Sequence, residues 1–468
     1  MKLNNLKLYD SLQKRVVDFQ PREAGKIGMY VCGMTVYDLC HLGHAKAFIN
    51  FDSIVRFLRW AGWQVTFVRN ITDVDDKILN RARETGQPWQ RVVETNIAAM
   101  EQDFASLGML VPDQQPRATQ HIEAIVAMVE TLVDRGYAYR GGNGDYYYHI
   151  KHFADYGKLS GRNPDELLSG ARVEVDPNKE DPRDFALWKA VSAEETGWDT
   201  GLGRGRPGWH IECSAMSKSC LGDTFDIHGG GPDLRFPHHE NEIAQSEAAN
   251  GCVYANYWLH AGPLRIDGEK MSKSLGNFFT IREVLKQYHP EVIRFFVLSS
   301  HYRSEINYST ESLDEAKRSL DRFYHALRGV ESKAAPEQAE SERLQQFAEA
   351  MNDDFNTRQA LTLMGGAVDE LNQAKIAGDA PGAAQLAAQL REMGLVLGLL
   401  ALPAEQYLKD VRGDSPGVPA EEVEALIEER QQAKLQKNYQ RADEIREQLA
   451  SQGIQLDDSR EGTSWRRV

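Results

Sequence analysis

The chain holds little cysteine: five residues in 468, an odd number, with no CxxC pair. A disulfide scaffold is therefore not expected, and free thiols in a reducing, cytoplasmic compartment are. Long apolar runs are missing. None reaches 18 residues, so no transmembrane helix or membrane partner is expected. Met1 to Phe19 alternates apolar and charged residues without an apolar core, so no secretory leader is expected either. A basic surplus is also absent: 54 Lys and Arg against 69 Asp and Glu give a net charge of −15. That excludes a bulk basic coat, although local patches can still contact phosphate. No internal repeat or long low-complexity tract is visible.

What is present is ordinary globular composition, 41% hydrophobic and 26% charged. The length suggests about three domains and suffices for several cores. Residues 28–33 read as a short buried strand and 64–68 as another. Between them, 45–61 predicts a helix with Phe48, Phe51, Ile54, Val55 and Leu58 near one face, stopped by Gly62. Strand, helix, strand is the βαβ pattern of a parallel sheet. From about Pro112 to Gly205 the character changes: a helical pattern over 117–135, an aromatic hairpin over 136–150, then charges and prolines. This reads as an insertion. The strand pattern returns around Gly205–Glu212, Phe225–Ile227 and Asn256–Ala261. Past residue 309 the chain reads as helical. Leu313, Ala316, Leu320, Phe323 and Leu327 step by three and four, as do Leu344, Phe347, Met351 and Phe355. Leu361, Met364, Val368 and Leu371 do the same, then Leu386, Leu390, Met393 and Leu397, which predicts a helical bundle. Ala334–Glu340 and Gly378–Gly382 read as loops and Arg412–Pro419 as a linker, before two helices and a short extended tail.

Three constellations carry chemistry. His41-Leu42-Gly43-His44 joins the first strand to the helix; chance predicts about 0.03 His-x-Gly-His matches in such a chain. A helix N-terminus attracts phosphate, glycine permits close approach, and imidazoles can donate. The plainer reading is a pair of capping histidines. Lys270-Met271-Ser272-Lys273-Ser274 follows the turn Asp267-Gly268, and two lysines on a loop suit a polyphosphate whose charge builds in a transition state. Met216-Ser217-Lys218-Ser219 shares its core, but it lacks the leading lysine and follows a helical start. The third set is Cys32, Cys213, His238 and Glu242. The two cysteines are expected at strand ends, and His238 and Glu242 on one face of a helix at i, i+4. Such donors suit zinc, with His239 or Glu240 as rival ligands and a satisfied core as the plainer reading.

The first two motifs resemble the HIGH and KMSKS signatures of class I aminoacyl-tRNA synthetases. Leu42 stands where that family most often carries isoleucine. More specifically, Met29–Asp38, Arg69–Lys77, Gly205–Met216, Phe225–Leu234, Phe236–Glu242, Gly262–Phe279 and the closing Gly462–Arg467 resemble cysteinyl-tRNA synthetases, nearly end to end.

That resemblance implies an α/β fold: a split Rossmann-type catalytic domain with a parallel sheet, then an all-α bundle and a small C-terminal anticodon-binding unit. The implied division is 1–111 and 206–261 for the catalytic halves, 112–205 for the insertion and 262–309 for a stem-contact region with the KMSKS loop. The bundle would span 310–402 and the anticodon unit 420–468. It implies ligation of L-cysteine to tRNA(Cys), with ATP and Mg²⁺, by a monomer. His41, His44, Lys270 and Lys273 would be catalytic, and Gly43 and Ser272 would join them in binding ATP. One Zn²⁺ per chain would sit on Cys32, Cys213, His238 and Glu242 and select the substrate thiol over serine. Four protein ligands ordinarily close a structural zinc, so that role requires a fifth position. Gly33, Thr72 and Trp209 would line the cysteine pocket with Cys32 and His238. Lys434, Tyr439, Asp443 and Asp458 would contact the anticodon, with Trp465 and Arg466 close by. Against this, residues 403–468 hold 10 basic and 14 acidic side chains, as a solvated helix pair would. Two alternatives remain at this point: a cysteine–amino-sugar ligase of the mycothiol type, which lacks the tRNA-binding end, and a catalytically silent, zinc-stabilised RNA-binding protein.

Overall fold

The computed structural model describes residues 5–162, 176–266, 269–270, 279–330, 341–410, 418–459 and 462–467. Its centre is a four-stranded parallel sheet. The strands lie in the order Ala255–His260, Phe225–Gly230, Lys26–Thr35, Gln64–Thr72. All three pairings are parallel. The chain runs outward from Lys26–Thr35 to one edge and later resumes on its other side. Between Lys26–Thr35 and Phe225–Gly230 the strand order therefore reverses, the place where open α/β sheets take ligands beyond their carboxyl ends. The helix Leu42–Trp60 joins the first two strands and buries Phe48, Phe51, Ile54, Val55 and Leu58, the five expected residues. The strands are longer than their apolar runs because Arg69, Asn70 and Thr72 are buried too.

The region after Pro112 folds as helix Ile122–Asp134 followed by an antiparallel sheet of Ala138–Arg140, Tyr146–Tyr148, Phe185–Ala190 and Gly205–Pro207. This corrects one expectation. Gly205–Pro207 belongs to that sheet, and Cys213 lies within the helix Trp209–Leu221 instead of ending a strand. The helix hid from periodicity because 211–217, nearly two turns, show no polar face: Glu212, Ser214 and Ser217 are as buried as Ile211 and Met216. Gly208 makes the break. A Cβ there would lie 2.0 Å from the Ala186 carbonyl oxygen.

The described chain divides into two units. The sheet belongs to Met1–Arg265, with Ser300–Ile306 and Ala348–Thr357. The other unit is Ile266–Ser299, Asn307–Phe347 and Arg358–Val468. Helices Thr310–Leu327, Glu342–Asn352, Thr357–Ala377 and Ala380–Val396 match the four stripes. Two details differ. Phe355 is buried beyond its helix, at a positive φ of 55°, and Leu386 is half-buried, its stripe running instead through Ala383, Ala387, Leu390 and Met393. Gly382 sits inside the last helix, because Asp379 caps it by accepting from the Gly382 N–H at 3.0 Å. Residues 334–340 and most of 412–419 lie outside the described residues. The C-terminal helices Ala420–Leu435 and Tyr439–Ser451 are followed by an antiparallel hairpin, Ile454–Ser459 with Gly462–Arg467, rather than a lone extended tail. Val423, Ile427, Ile445, Leu449, Ile454, Leu456 and Trp465 form the small core there.

Candidate active site

The His-x-Gly-His motif opens the helix Leu42–Trp60 as a reciprocal cap. His41 Nδ1 accepts from the His44 N–H, and His44 Nδ1 from the His41 N–H, both at 3.3 Å. The rings stack with centroids 3.6 Å apart. The capping reading is thus correct as geometry, and it has a chemical consequence. With both Nδ1 atoms accepting, each neutral ring carries its proton on Nε2. Burial lowers His41 to about 4, and burial with His41 alongside drives His44 well below its usual value. Both rings are neutral donors near pH 7. No acidic residue occupies the first helical turn, so its macrodipole faces no competing carboxylate from the helix itself.

On the strand that precedes this helix, the pairing of Lys26–Thr35 with Gln64–Thr72 slips by a residue between Val31 and Met34. Cys32 and Gly33 sit in this bulge, a device that re-aims a side chain. Gly33 is required there: a Cβ would lie 1.7 Å from the Asn70 carbonyl oxygen. The Gly33 N–H donates to Asn70 Oδ1 at 2.8 Å.

Cys32, Cys213, His238 and Glu242 converge, with their ligand atoms all within 4.8 Å of one another. All four are at most 4% exposed. The Cys32 and Cys213 sulfurs are 3.7 Å apart, Cys32 Sγ lies 3.4 Å from Glu242 Oε1, and His238 Nε2 lies 3.0 Å from that same oxygen. His238 reaches Glu242 from a wide turn, Arg235–His239, ahead of the helix Glu240–Asn250, so the i, i+4 relation holds although the regular helix starts later than expected. The hydrogen bond from Cys32 lowers Cys213 to about 6, while burial and Cys213 push Cys32 well up. The hydrogen bond between them thus favours charge on Cys213 over charge on Cys32. Burial opposes charge on Glu242, but His228 and His238 beside it hold the carboxyl well below its usual range. Burial likewise opposes charge on His238, but Glu242 and Cys213 raise it to about 10.

A second layer, which the sequence reading missed, orients these donors. Glu242 Oε2 accepts from Tyr254 at 2.9 Å and faces His228 Nε2 at 2.8 Å. His228 stacks on Trp258 at 4.4 Å. His238 Nδ1 meets His210 Nδ1 at 2.9 Å, and Trp209 stacks on the His238 ring at 4.2 Å. Holding one face of a ligand so that the other faces a metal is the usual architecture of metal sites. His239 and His228 form a rival set with Cys32 and Glu242, and the buried His239 Nε2 and His228 Nδ1 have no hydrogen-bond partner among the described residues. Glu240 is not in either set; its carboxylate accepts from the Gly157, Leu159 and Ser160 N–H groups. Thr72 is buried and donates to Glu212 Oε2 at 3.0 Å, and Trp209 is 37% exposed. His228 lay within a quoted motif but carried no spacing signal; Tyr254 carried none.

The remaining expected residues lie on other elements or outside the described residues. Lys270 ends the two-residue strand Glu269–Lys270, while Ser272 and Lys273 lie outside the described residues. Lys218 of the look-alike motif is on a helix, tied to Asn250 Oδ1 at 2.6 Å and Asp223 at 3.0 Å, which a phosphate-seeking loop could not be. In the C-terminal unit Tyr439 is 62% exposed and Asp443 is exposed. Asp458 accepts from both Arg430 Nη atoms at 2.7 and 2.8 Å, with Lys434 at 3.4 Å. Trp465 is a core residue whose Nε1 donates to Glu424, so its ring is not offered to a base.

Parallel strands reversing order at a bulged cysteine, beside a His-x-Gly-His helix start, define a class I aminoacyl-tRNA synthetase catalytic domain. The family described as tRNA synthetases class I (C) catalytic domain matches residues 18–318, the DALR domain 346–401, and the cysteinyl-tRNA ligase anticodon-binding domain 415–466. The methionyl-tRNA synthetase of Mycobacterium tuberculosis bound by methionyl-adenylate shares the fold, with a TM-score of 0.58 at 14% identity, over 80% of this chain and 91% of that one. The cysteine–tRNA ligase of Ectopseudomonas mendocina is 56% identical over 98% of this chain and 99% of its own, and that of Halorhodospira halophila 54% over 99% and 100%. The chain belongs to the cysteine–tRNA ligase family. The amino-sugar ligase and silent RNA-binding alternatives are not favoured by these matches.

Proposed function

We infer that the chain charges tRNA(Cys) with L-cysteine in two steps, the first of which consumes ATP. The observation that carries this reading is the buried two-cysteine, histidine, carboxylate cluster at the sheet's reversal point, in a chain related end to end to cysteine–tRNA ligases. In the first step a cysteine carboxylate oxygen attacks the α-phosphorus of ATP, and pyrophosphate leaves. In the second, a ribose hydroxyl of the terminal tRNA nucleotide attacks the cysteinyl carbonyl, and AMP leaves. His41 and His44 donate from Nε2 to phosphate oxygens, as neutral hydrogen-bond donors and not as cations. Gly43 lets the nucleotide approach the helix start. Lys270 and Lys273 meet charge that builds on the departing phosphates, Ser272 helps hold them, and Mg²⁺ accompanies ATP.

Cys32, Cys213, His238 and Glu242 fit zinc by their chemistry: two sulfurs, an imidazole fixed through its other nitrogen, and a carboxylate fixed through its other oxygen. When bound, the metal supplies a soft site that prefers sulfur to a hydroxyl. Serine is nearly isosteric with cysteine, so shape alone would discriminate poorly. Gly33, Thr72 and Trp209 border the amino acid. The division into catalytic halves 1–111 and 206–261, insertion 112–205, stem-contact region 262–309, bundle 310–402 and anticodon unit 420–468 remains our reading, as do a monomeric state and a cytoplasmic location. The described residues contain no helix long and apolar enough to cross a membrane. Aminoacylation of tRNA(Cys) with cysteine and with serine, with and without a chelator, tests the whole reading. Cysteine charging lost on chelation and restored by zinc is expected; charging indifferent to metal would overturn the selection role.

A further inference from the structure

Lys46 has no place in the chemistry above, yet it is among the most buried charged side chains of the sheet-bearing unit, 1% exposed. It lies on the helix that starts at His41 and His44. Among the described residues its ammonium donates to three backbone carbonyls and to no carboxylate: Gly262 at 2.6 Å, Ser304 at 2.9 Å and Tyr302 at 3.4 Å. Those carbonyls come from two segments that cross tightly. The Gly262 N–H donates to the Tyr302 carbonyl at 2.8 Å, and the Ile306 N–H to that of Pro263 at 3.0 Å. A Cβ on Gly262 would lie 2.2 Å from the Ser304 carbonyl oxygen. The Ala261 N–H, next in line, donates to Gly230 at the end of a central strand.

The position of this crossing in the chain matters. The chain leaves the sheet-bearing unit after Arg265 and returns to it at Ser300. The excursion, Ile266–Ser299, carries the whole Lys270–Ser274 motif. Gly262 therefore stands just before its start, and Tyr302 and Ser304 just after its end. Burying an ammonium among carbonyls is costly unless they satisfy it, and an apolar side chain would pack such a place at lower cost. The acid nearest in sequence to the crossing, Glu305, pairs with Arg265 at 2.7 Å and acts on Lys46 through its charge, without a hydrogen bond to it. Three convergent carbonyls, two flanking segments and one charged strut from the His41–His44 helix form a built clamp.

We propose that Lys46 is a positioning residue for adenylate formation, fixing the crossing of 261–263 with 302–306 to the helix that presents His41 and His44. This rests on the function inferred above. The test is Lys46→Met and Lys46→Arg in the full chain, read by cysteine-dependent ATP–pyrophosphate exchange, zinc content and thermal unfolding. Lys46→Met is expected to lower kcat on the order of 100-fold, as misplacement of reacting groups does, while KM for cysteine and zinc content stay within about twofold. Lys46→Arg, which can still donate to several carbonyls, is expected to recover most of the rate. Exchange within twofold of wild type in Lys46→Met overturns the proposal. So does a loss that follows zinc content or KM for cysteine, or an arginine variant as slow as the methionine one, since a purely structural role would produce those. Should Lys46→Met fail to fold, Lys46→Gln, which keeps a donor without the charge, carries the same comparison. A wild-type chain without cysteine-dependent exchange would instead sink the functional reading, and the two failures are distinguishable.

Discussion

The cluster around Glu242 and the C-terminal unit after Pro419 treat polar side chains in opposite ways. Around Glu242 four donors are at most 4% exposed, and each oxygen or nitrogen is held by a second group. In the C-terminal unit Tyr439 is 62% exposed, and the side chains of Lys434 and Asp458 are about 40% exposed. On the function proposed above, the difference follows from what each region would discriminate. One sulfur from one oxygen requires desolvated donors in fixed geometry, because water would supply competing ligands and relax the selection. A nucleic acid is met on a surface, where aromatic faces and charged groups must be reachable. Burial makes the first region sensitive to single atoms; exposure makes the second tolerant of them.

The harshest way to break this comparison is Cys213→Ser. Loss of a buried donor is expected to weaken zinc binding on the order of 100-fold or more and to raise the Kd for cysteine, with serine binding weak throughout. Cys220→Ser and Cys252→Ser, half-buried and exposed, should change neither quantity. Metal content beside cysteine affinity for all three decides it. A Cys213→Ser protein with full zinc would remove that residue from the site.

Next in size is removal of the C-terminal unit by ending the chain near Pro419. Pyrophosphate exchange should persist, while tRNA charging falls on the order of 100-fold as several base and phosphate contacts go. Equal charging by the shortened and full chains would show that the unit does not read tRNA.

A subtler change sharpens the contrast within the cluster. Tyr254→Phe removes only the hydroxyl that donates to Glu242 Oε2. About a 10-fold loss of zinc affinity is expected, since outer partners of metal ligands matter at that scale. An unchanged zinc affinity would mean that His228 alone orients the carboxylate.

The smallest effect on chemistry is expected from Arg430→Met in the C-terminal unit. Arg430 is 2% exposed and grips Asp458 with two hydrogen bonds, so the variant should cost that unit about 2 kcal/mol of stability while adenylate formation stays unchanged. The hydrogen bond from Arg430 is also the main reason the Asp458 carboxyl lies below its usual range. A group whose folded pKa is depressed adds stability above its unfolded pKa, near 3.9, and loses it as pH falls below that. The wild-type unit should therefore lose stability below about pH 4, and the Arg430→Met unit less steeply, by thermal unfolding across pH. Parallel curves would show that the pair contributes nothing to stability.

Much of the site was legible because its signals are local. The cap at His41 and His44 uses residues three apart, and the apolar stripe of Leu42–Trp60 repeats within the helix. The helix holding Cys213 was not legible, because burial of every residue from 211 to 217 erases the alternation that periodicity needs. Lys46 was silent for another reason: a lysine in a helix reads as solvated, and only the crossing of 261–263 with 302–306 makes it a buried clamp.

By itself the sequence determined what neighbours along the chain decide: the strand–helix–strand start, the two signature motifs, the four apolar stripes and the family they resemble. Only the tertiary structure decided which donors meet. Cys32 and Glu242 stand 210 positions apart, and His228 and His238 both reach that carboxylate. The selection is made by the order of strands in the sheet and by one bulge at Cys32, which bring the carboxyl ends of two adjacent parallel strands against two helix starts. Spacing along a chain carries no information about that convergence, because it is a property of packing.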